Sequence, residues 1–226
     1  MLKRYLFEPI VYITITLLFL SAPAKAQNTK SEQLIKIETS LGDMVIKLYN
    51  ETPAHRDNMI KLCNDGFYKD QLFHRVMKDF MIQGGDPHST GAEKGQRLGM
   101  GSPGYTVPAE FHEGLIHKKG ALAAARKGDS VNPEQASHGS KFYLVQGRVL
   151  TPEEINILTQ RGVASFTEET AEIYMTLGGA PHLDGAYTVF GEVVEGLEII
   201  DSIASMACDS YDRPIEDVIY SISLIK

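Results

Sequence analysis

The sequence predicts a mainly β domain, a closed antiparallel barrel with a helical pair inserted between two of its strands. Three observations predict it. Short apolar runs, each of a length typical of strands, recur along residues 34–225. Helix start signals are few. Turn residues, rather than long crossovers, separate most of the runs. Closing such a sheet removes the unpaired edges that would otherwise invite aggregation.

Taken in order, Leu34-Ile35-Lys36-Ile37-Glu38 and Met44-Val45-Ile46-Lys47-Leu48 flank a turn at Leu41-Gly42-Asp43, a hairpin signature. Thr52-Pro53 supplies an N-cap and a first-turn proline. Met59, Ile60, Leu62 and Cys63 follow, with Gly66 placed as C′, so this segment reads as a short amphipathic helix. Further strands are expected at 72–77, 120–125, 142–146, 187–194 and 218–225, and a glycine-rich loop at 84–104. A second helix is expected at 197–204, after Glu195-Gly196. Thr151-Pro152-Glu153-Glu154 and Thr167-Glu168-Glu169 each open a helix with acidic residues that complement its dipole. Residues 149–180 therefore read as a helical insert. No internal repeat or linker divides residues 27–226, which read as one domain.

The chain has 226 residues, 43% apolar and 23% charged, with a net charge of −7. Disorder along the whole length is excluded by that apolar content. Such a length buries about 70% of the unfolded surface and needs no metal or disulfide to hold it. The acidic balance argues against nucleic acid as a partner, since phosphate neutralisation needs clustered Lys and Arg.

Residues 1–26 read as a signal peptide. Lys3 and Arg4 precede an apolar stretch from Ile10 to Leu20, and Ala24-Lys25-Ala26 is a small-x-small cleavage site. The apolar stretch is short for a membrane span of about 20 residues. Cleavage would remove Lys3, Arg4 and Lys25 against Glu8 and shift the net charge from −7 to −9. The expectation is an exported, periplasmic protein; the alternative is a membrane anchor formed by the uncleaved segment. Nothing in the pattern signals an oligomer, so a monomer is expected. Cys63 and Cys208 form no C-x-x-C, and two free thiols or one disulfide both fit. Seven histidines fall in no metal-ligand spacing, so neither a metal nor a cofactor is expected.

Two local patterns carry little. Gly99-Met100-Gly101-Ser102-Pro103-Gly104 satisfies G-x-G-x-x-G, but Pro103 forbids the helix that a dinucleotide site needs. Ser137, His138 and Ser140 lack a nucleophile elbow, which leaves hydrolysis without an architecture. The dense signal is Phe73-His74-Arg75-Val76-Met77-Lys78-Asp79-Phe80-Met81-Ile82-Gln83-Gly84-Gly85-Asp86. In strand geometry Phe73 and Arg75 share one face, and Phe80-Met81 arrive after a turn. Spacing alone favours an ordinary strand with an outward Arg and core aromatics.

That stretch, however, resembles the signature of the cyclophilin family of peptidyl-prolyl cis/trans isomerases. Gly120-Ala121-Leu122-Ala123-Ala124-Ala125 resembles the family's strand before its active-site loop. Gly139-Ser140-Lys141-Phe142-Tyr143 resembles its G-S-Q-F-F motif, and Leu183-Asp184-Gly185 with Tyr187-Thr188-Val189-Phe190-Gly191-Glu192-Val193 its L-D-G…V-F-G-x-V block. The resemblance spans about residues 34–226 apart from the insert, and implies an eight-stranded closed barrel capped by two helices.

It also implies a function, acceleration of X–Pro isomerisation in proline-containing peptides, which together with the export reading extends to unfolded or folding envelope proteins. A proline-binding or chaperone module with little turnover is the alternative. By resemblance Arg75 is catalytic, and Gln83 holds a substrate carbonyl or orients Arg75. Phe80, Met81, Phe142 and Leu183 form the proline slot. Ala125 and the main chain of Arg126 line the neighbouring groove, with His74 beside Arg75 and with Tyr187 and His182 at the family's His and Trp positions. The chain departs from the pattern at Lys141 (usually Gln), Tyr143 (usually Phe), Arg126 (commonly Asn) and His182. Because the family's Trp donates a hydrogen bond to cyclosporin, His182 implies weak binding of that drug. The insert leaves and re-enters the chain beside slot positions, so it reads either as a flap on the groove or as surface elaboration.

Overall fold

The computed structural model describes residues 32–225; the signal-peptide expectation lies outside them. Among the described residues ten strands and four α-helices are present. The first hairpin pairs β1 (Gln33–Thr39) with β2 (Gly42–Leu48). In β2 Met44, Ile46 and Leu48 are fully buried while Val45 and Lys47 are not, the period-2 pattern of a strand with one face on a core. Helix α1 (Pro53–Asn64) follows. Its start is not capped by Thr52, whose buried hydroxyl has no partner; the carboxylate of Glu110 instead accepts the Ala54 and His55 N–H groups, each at 3.0 Å. A carboxylate at a helix N-terminus meets the same orphan donors and the same dipole as a local cap.

The expected strand at 72–77 is broken in two, β3 (Gln71–Leu72) and β4 (Arg75–Met77), with β5 (Met81–Gly84) returning from a tight turn. After the glycine-rich loop come β6 (Thr106–Val107), β7 (Ala121–Arg126) and the long β8 (Ser137–Val145). Helices α2 (Pro152–Gln160) and α3 (Glu168–Thr176) occupy the insert, each opened by a reciprocal capping box at Thr151 and Thr167. β9 (Val189–Glu195), α4 (Leu197–Ala204) and β10 (Ile219–Leu224) complete the chain.

The ladder runs β3-β10-β1-β2-β9-β7-β8-β5-β4, with β6 paired to the start of β8. The antiparallel barrel-like sheet is thus ten-stranded rather than eight-stranded. Its two end strands are not paired with each other; they are chain neighbours. Phe73 N–H donates to Val218 O on one side of that seam, and His74 N–H to Gln83 O on the other, both at 3.1 Å. This switch of partners breaks the alternation, so Phe73 and Arg75 do not share a face. Phe73 is 1% exposed in the main core, whereas Arg75 is half-buried outside it.

The main core fills the sheet's interior with Ile35, Ile37, Met44, Ile46, Leu122, Leu144 and Tyr220, capped by Met59 and Leu62 of α1 and by Ile200 and Ile203 of α4. A second cluster, with Met81, Ala123, Tyr143, Val145 and Leu183, packs on the outer face. The second half of β8 therefore buries both faces, which is why residues 142–145 read as an unbroken apolar run.

Candidate active site

The site is built on the outer face where β4, β5, β7 and β8 lie side by side. The antiparallel register puts Arg75 opposite Gln83, and Gln83 opposite Tyr143. The Arg75 guanidinium is held from three sides. Nη1 donates to Gln83 Oε1 at 3.4 Å, Nε to Asp212 Oδ2 at 3.4 Å, and Nη2 lies 2.9 Å from Met77 Sδ. It borders an open groove of about 1070 Å³.

One arm of this groove is an apolar slot of Phe80, Met81, Tyr143, Leu183 and Tyr187. Ala125 enters it because the β7–β8 register shifts between Ala124 and Arg126, leaving Ala125 unpaired and free to face outward. Of the expected slot residues, Phe142 is not there. It is 1% exposed in the main core, edge-on to Phe73, Tyr68 and Tyr220. Successive strand residues face opposite ways, so a slot on the outer face takes Tyr143 and leaves Phe142 inside. His182 lies outside the groove lining; exposed, it packs on Phe80 with ring centroids 5.5 Å apart. Arg126 contributes more than its main chain. Its guanidinium covers the Tyr187 ring at 4.5 Å, and Nε donates to Ala186 O at 2.7 Å.

The other arm has a polar floor. Lys141 is buried, and Nζ donates to Gly99 O at 2.6 Å, clamping the glycine-rich loop that forms the far wall. Asp86, fully buried, accepts the N–H groups of His88 and Gly99. Burial raises its pKa, but these amides and nearby His74 outweigh it and hold the carboxyl below its usual value. Burial pulls His74 down to about 4 in spite of Asp86, and pulls His138 down to about 4, with Lys141 adding to the effect. Gly85 joins this floor to β8. At φ 88 a side chain there would be strained, and a Cβ would sit 2.1 Å from Ser140 O, so only glycine fits.

A family model described as "Cyclophilin type peptidyl-prolyl cis-trans isomerase/CLD" matches residues 34–223. This chain belongs to the cyclophilin-type peptidyl-prolyl cis-trans isomerases. Proteins named "Putative peptidyl-prolyl cis-trans isomerase" from Staphylococcus haemolyticus and Staphylococcus epidermidis are each 34% identical over 190 residues, 84% of this chain and 89% of theirs. A crystal structure of a cyclophilin-type isomerase from Cryptosporidium parvum superposes with TM-score 0.62 at 25% identity, covering 86% of this chain and 98% of that one. A structure of that protein in the presence of the dipeptide Ala-Pro has TM-score 0.61 at 24% identity, covering 86% and 99%.

Within this cyclophilin a second constellation has the connectivity of a hydrolytic triad. His55 Nδ1 is 2.7 Å from Glu110 Oε2, and His55 Nε2 is 2.9 Å from Ser137 Oγ. Burial lowers the His55 pKa, and the carboxylate can only accept, so Nδ1 carries the proton and Nε2 accepts from the Ser137 hydroxyl. Ser137 is 1% exposed, however, and the space beside His55 is about 10 Å³, room for one water. No acyl substrate fits, so the trio staples α1, the Glu110 segment and β8. Among the described residues no group of three or more His, Cys, Asp or Glu is arranged to hold a metal ion, and no helix is long and apolar enough to cross a membrane. Cys63 and Cys208 are free thiols, with burial raising Cys63 to about 12.

The sequence reading missed Tyr143, His138 and the clamp at Lys141. Strand alternation counted from Gln83 and its partner across the sheet was the signal for Tyr143. Nothing local signalled the Lys141–Gly99 bond, whose ends are 42 residues apart.

Proposed function

We propose that this protein accelerates X–Pro isomerisation by stabilising the twisted amide with Arg75 while the apolar slot holds the proline ring. The carrying observation is the position of the Arg75 guanidinium, fixed by Gln83 and Asp212 at the rim of a slot walled by Phe80, Met81, Tyr143, Leu183 and Tyr187. Amide resonance sets a barrier of about 18–20 kcal/mol to rotation. Rotation destroys that resonance, and the prolyl nitrogen gains a basic lone pair that a guanidinium N–H can meet. A donor that bonds this nitrogen only in the twisted state lowers the barrier without tightening either planar ground state. Arg serves because it stays charged at all working pH values. No bond to carbon breaks, so neither nucleophile nor general base is needed. Gln83 orients Arg75 and can offer its amide N–H to the substrate carbonyl.

The substrates we infer are proline-containing peptides and folding envelope proteins outside the cytoplasm, a reading supported by the charged, apolar and small-residue pattern of residues 1–26. The direct test is cis-to-trans conversion of a short Ala-Pro-Phe reporter peptide by the purified protein, compared with Arg75→Ala. The reading expects strong acceleration that collapses in the folded variant. Folded wild-type protein that binds the peptide without accelerating it would leave a proline-binding module. Location is tested by the mass of the protein recovered from the periplasm, expected to lack residues 1–26.

A further inference from the structure

The insert is not a flap. No residue of 149–180 lines the groove. Its two helices bury Ile155 and Tyr174 in a small core of their own with Leu150, and its neck reaches the slot from behind. That neck is stitched to residues 117–119: Ala180 N–H donates to His117 O at 2.8 Å and Lys119 N–H to Gly178 O at 2.9 Å. The approach is close enough that a Cβ on Gly179, at φ 154, would stand 2.3 Å from His117 O and 2.6 Å from the Tyr174 ring.

From this neck a line of hydrogen bonds runs to the proline slot. Tyr174, fully buried on α3, donates its hydroxyl to Asp184 Oδ2 at 2.6 Å. Asp184 directly follows the slot residue Leu183. Its Oδ1 accepts both the His117 N–H and His117 Nδ1–H, each at 2.8 Å. Since the carboxylate can only accept, Nδ1 carries a proton, and Nε2 pairs with the Tyr143 hydroxyl at 3.0 Å. His117 is 0% exposed, and its ring stacks at 14° to that of Tyr143. Among the described residues His117 is the hydroxyl's one hydrogen-bond partner. A buried hydroxyl that loses its partner is costly, and the ring bearing it moves toward water if it can. For Tyr143 the free direction is the groove.

We propose that the insert is a support for the proline slot: Tyr174 and His117 are positioning residues that fix the Tyr143 ring through Asp184. This rests on the isomerase reading above. A family member with Phe at position 143 has no hydroxyl to hold, so the relay and the insert answer a demand that Tyr143 creates.

A double-mutant cycle on the full protein tests it, with Tyr174→Phe introduced alone and together with Tyr143→Phe. In the wild-type background Tyr174→Phe is expected to lower kcat/KM for the Ala-Pro-Phe peptide about 3- to 10-fold, mainly through KM. With Tyr143→Phe present, whatever that change itself costs, the further effect of Tyr174→Phe should vanish. A merely structural tyrosine would cost the same in both backgrounds, and that result, or an unaltered kcat/KM in the folded single variant, overturns the proposal. Should Tyr174→Phe fail to fold, His117→Gln in the same two backgrounds reads the same coupling. Inactive but folded wild-type protein would instead count against the isomerase reading, which keeps the two failures distinct.

Discussion

Arg75 and Gln83 face each other across the β4–β5 ladder, with the guanidinium Nη1 3.4 Å from the amide oxygen. On the proposed mechanism the pair has unequal halves: Arg75 would meet the reacting nitrogen, and Gln83 would set the direction from which it does so. A hydrogen bond to a charged donor contributes about 1.5–3 kcal/mol. Arg75→Ala should therefore lower kcat/KM about 10- to 100-fold with the melting temperature little changed, because the side chain is only half-buried. Arg75→Lys should recover little, since one compact ammonium does not reproduce the planar fork whose separate nitrogens reach Asp212 and Gln83. Gln83→Leu should fall between wild type and Arg75→Ala. Peptide isomerisation assays alongside thermal melts decide it; a Gln83→Leu loss as large as that of Arg75→Ala would mean that Gln83 meets the reacting atoms itself.

Much of this was legible in the sequence because the determinants were local. The β1–β2 hairpin follows from alternation around Gly42, and α4 from the Glu195-Gly196 turn that precedes it. What was hidden depends on distant partners. The break at Phe73-His74 comes from a change of neighbour strand, from Val218 to Gln83, and no property of the dipeptide announces it. The cap of α1 comes from Glu110, 56 residues beyond Ala54. Phe142 and Tyr143 look interchangeable as aromatics in a run buried on both faces. Only the pairing of β8 with β5 and β7 says which of them is inside.

That distinction is measurable. Phe142→Ala empties part of the main core and should destabilise the protein by about 3–5 kcal/mol in urea denaturation. The fraction still folded should keep a near-normal KM, because the ring lies in the main core and outside the groove lining. Tyr143→Ala should raise KM about 10-fold or more in the folded fraction, since it removes a slot wall. A KM defect in Phe142→Ala that matches the defect of Tyr143→Ala would place both rings at the slot.

Cyclosporin sensitivity should be weak. In the family the drug takes a hydrogen bond from a Trp at the position of His182, and this chain has no Trp. His182 is committed to the Phe80 face, and burial lowers its pKa, so it offers no indole donor and less apolar area. The loss of one hydrogen bond is worth about 0.5–1.5 kcal/mol, or up to about 10-fold in affinity. Inhibition of peptide isomerisation, titrated with the drug, should show that loss, and His182→Trp should reverse most of it. Full sensitivity in the wild type would show that the drug's contacts lie elsewhere in the groove.

Acid should weaken the fold before it affects the chemistry. In the unfolded chain the His74 imidazole takes a proton near its ordinary 6.5; in the folded protein burial resists protonation until about 4. Between those values the unfolded state binds more protons, so stability rises with pH across the window and is lost as pH falls through it. By about 1.4 kcal/mol per unit, His74 alone accounts for a loss of roughly 3 kcal/mol by pH 4. His138, also lowered to about 4 but more open to solvent, adds in the same direction with less weight. Above pH 7 neither residue contributes any slope. Thermal melts should therefore be flat from pH 7 to 8 and fall steadily from 6.5 toward 4, and His74→Gln should flatten that fall. The proposed mechanism uses a guanidinium and no group that titrates in this window, so kcat/KM of the folded enzyme should hold level over the same range. A melting temperature that stays constant down to pH 4.5 would mean that His74 accepts its proton in the folded state at the ordinary value.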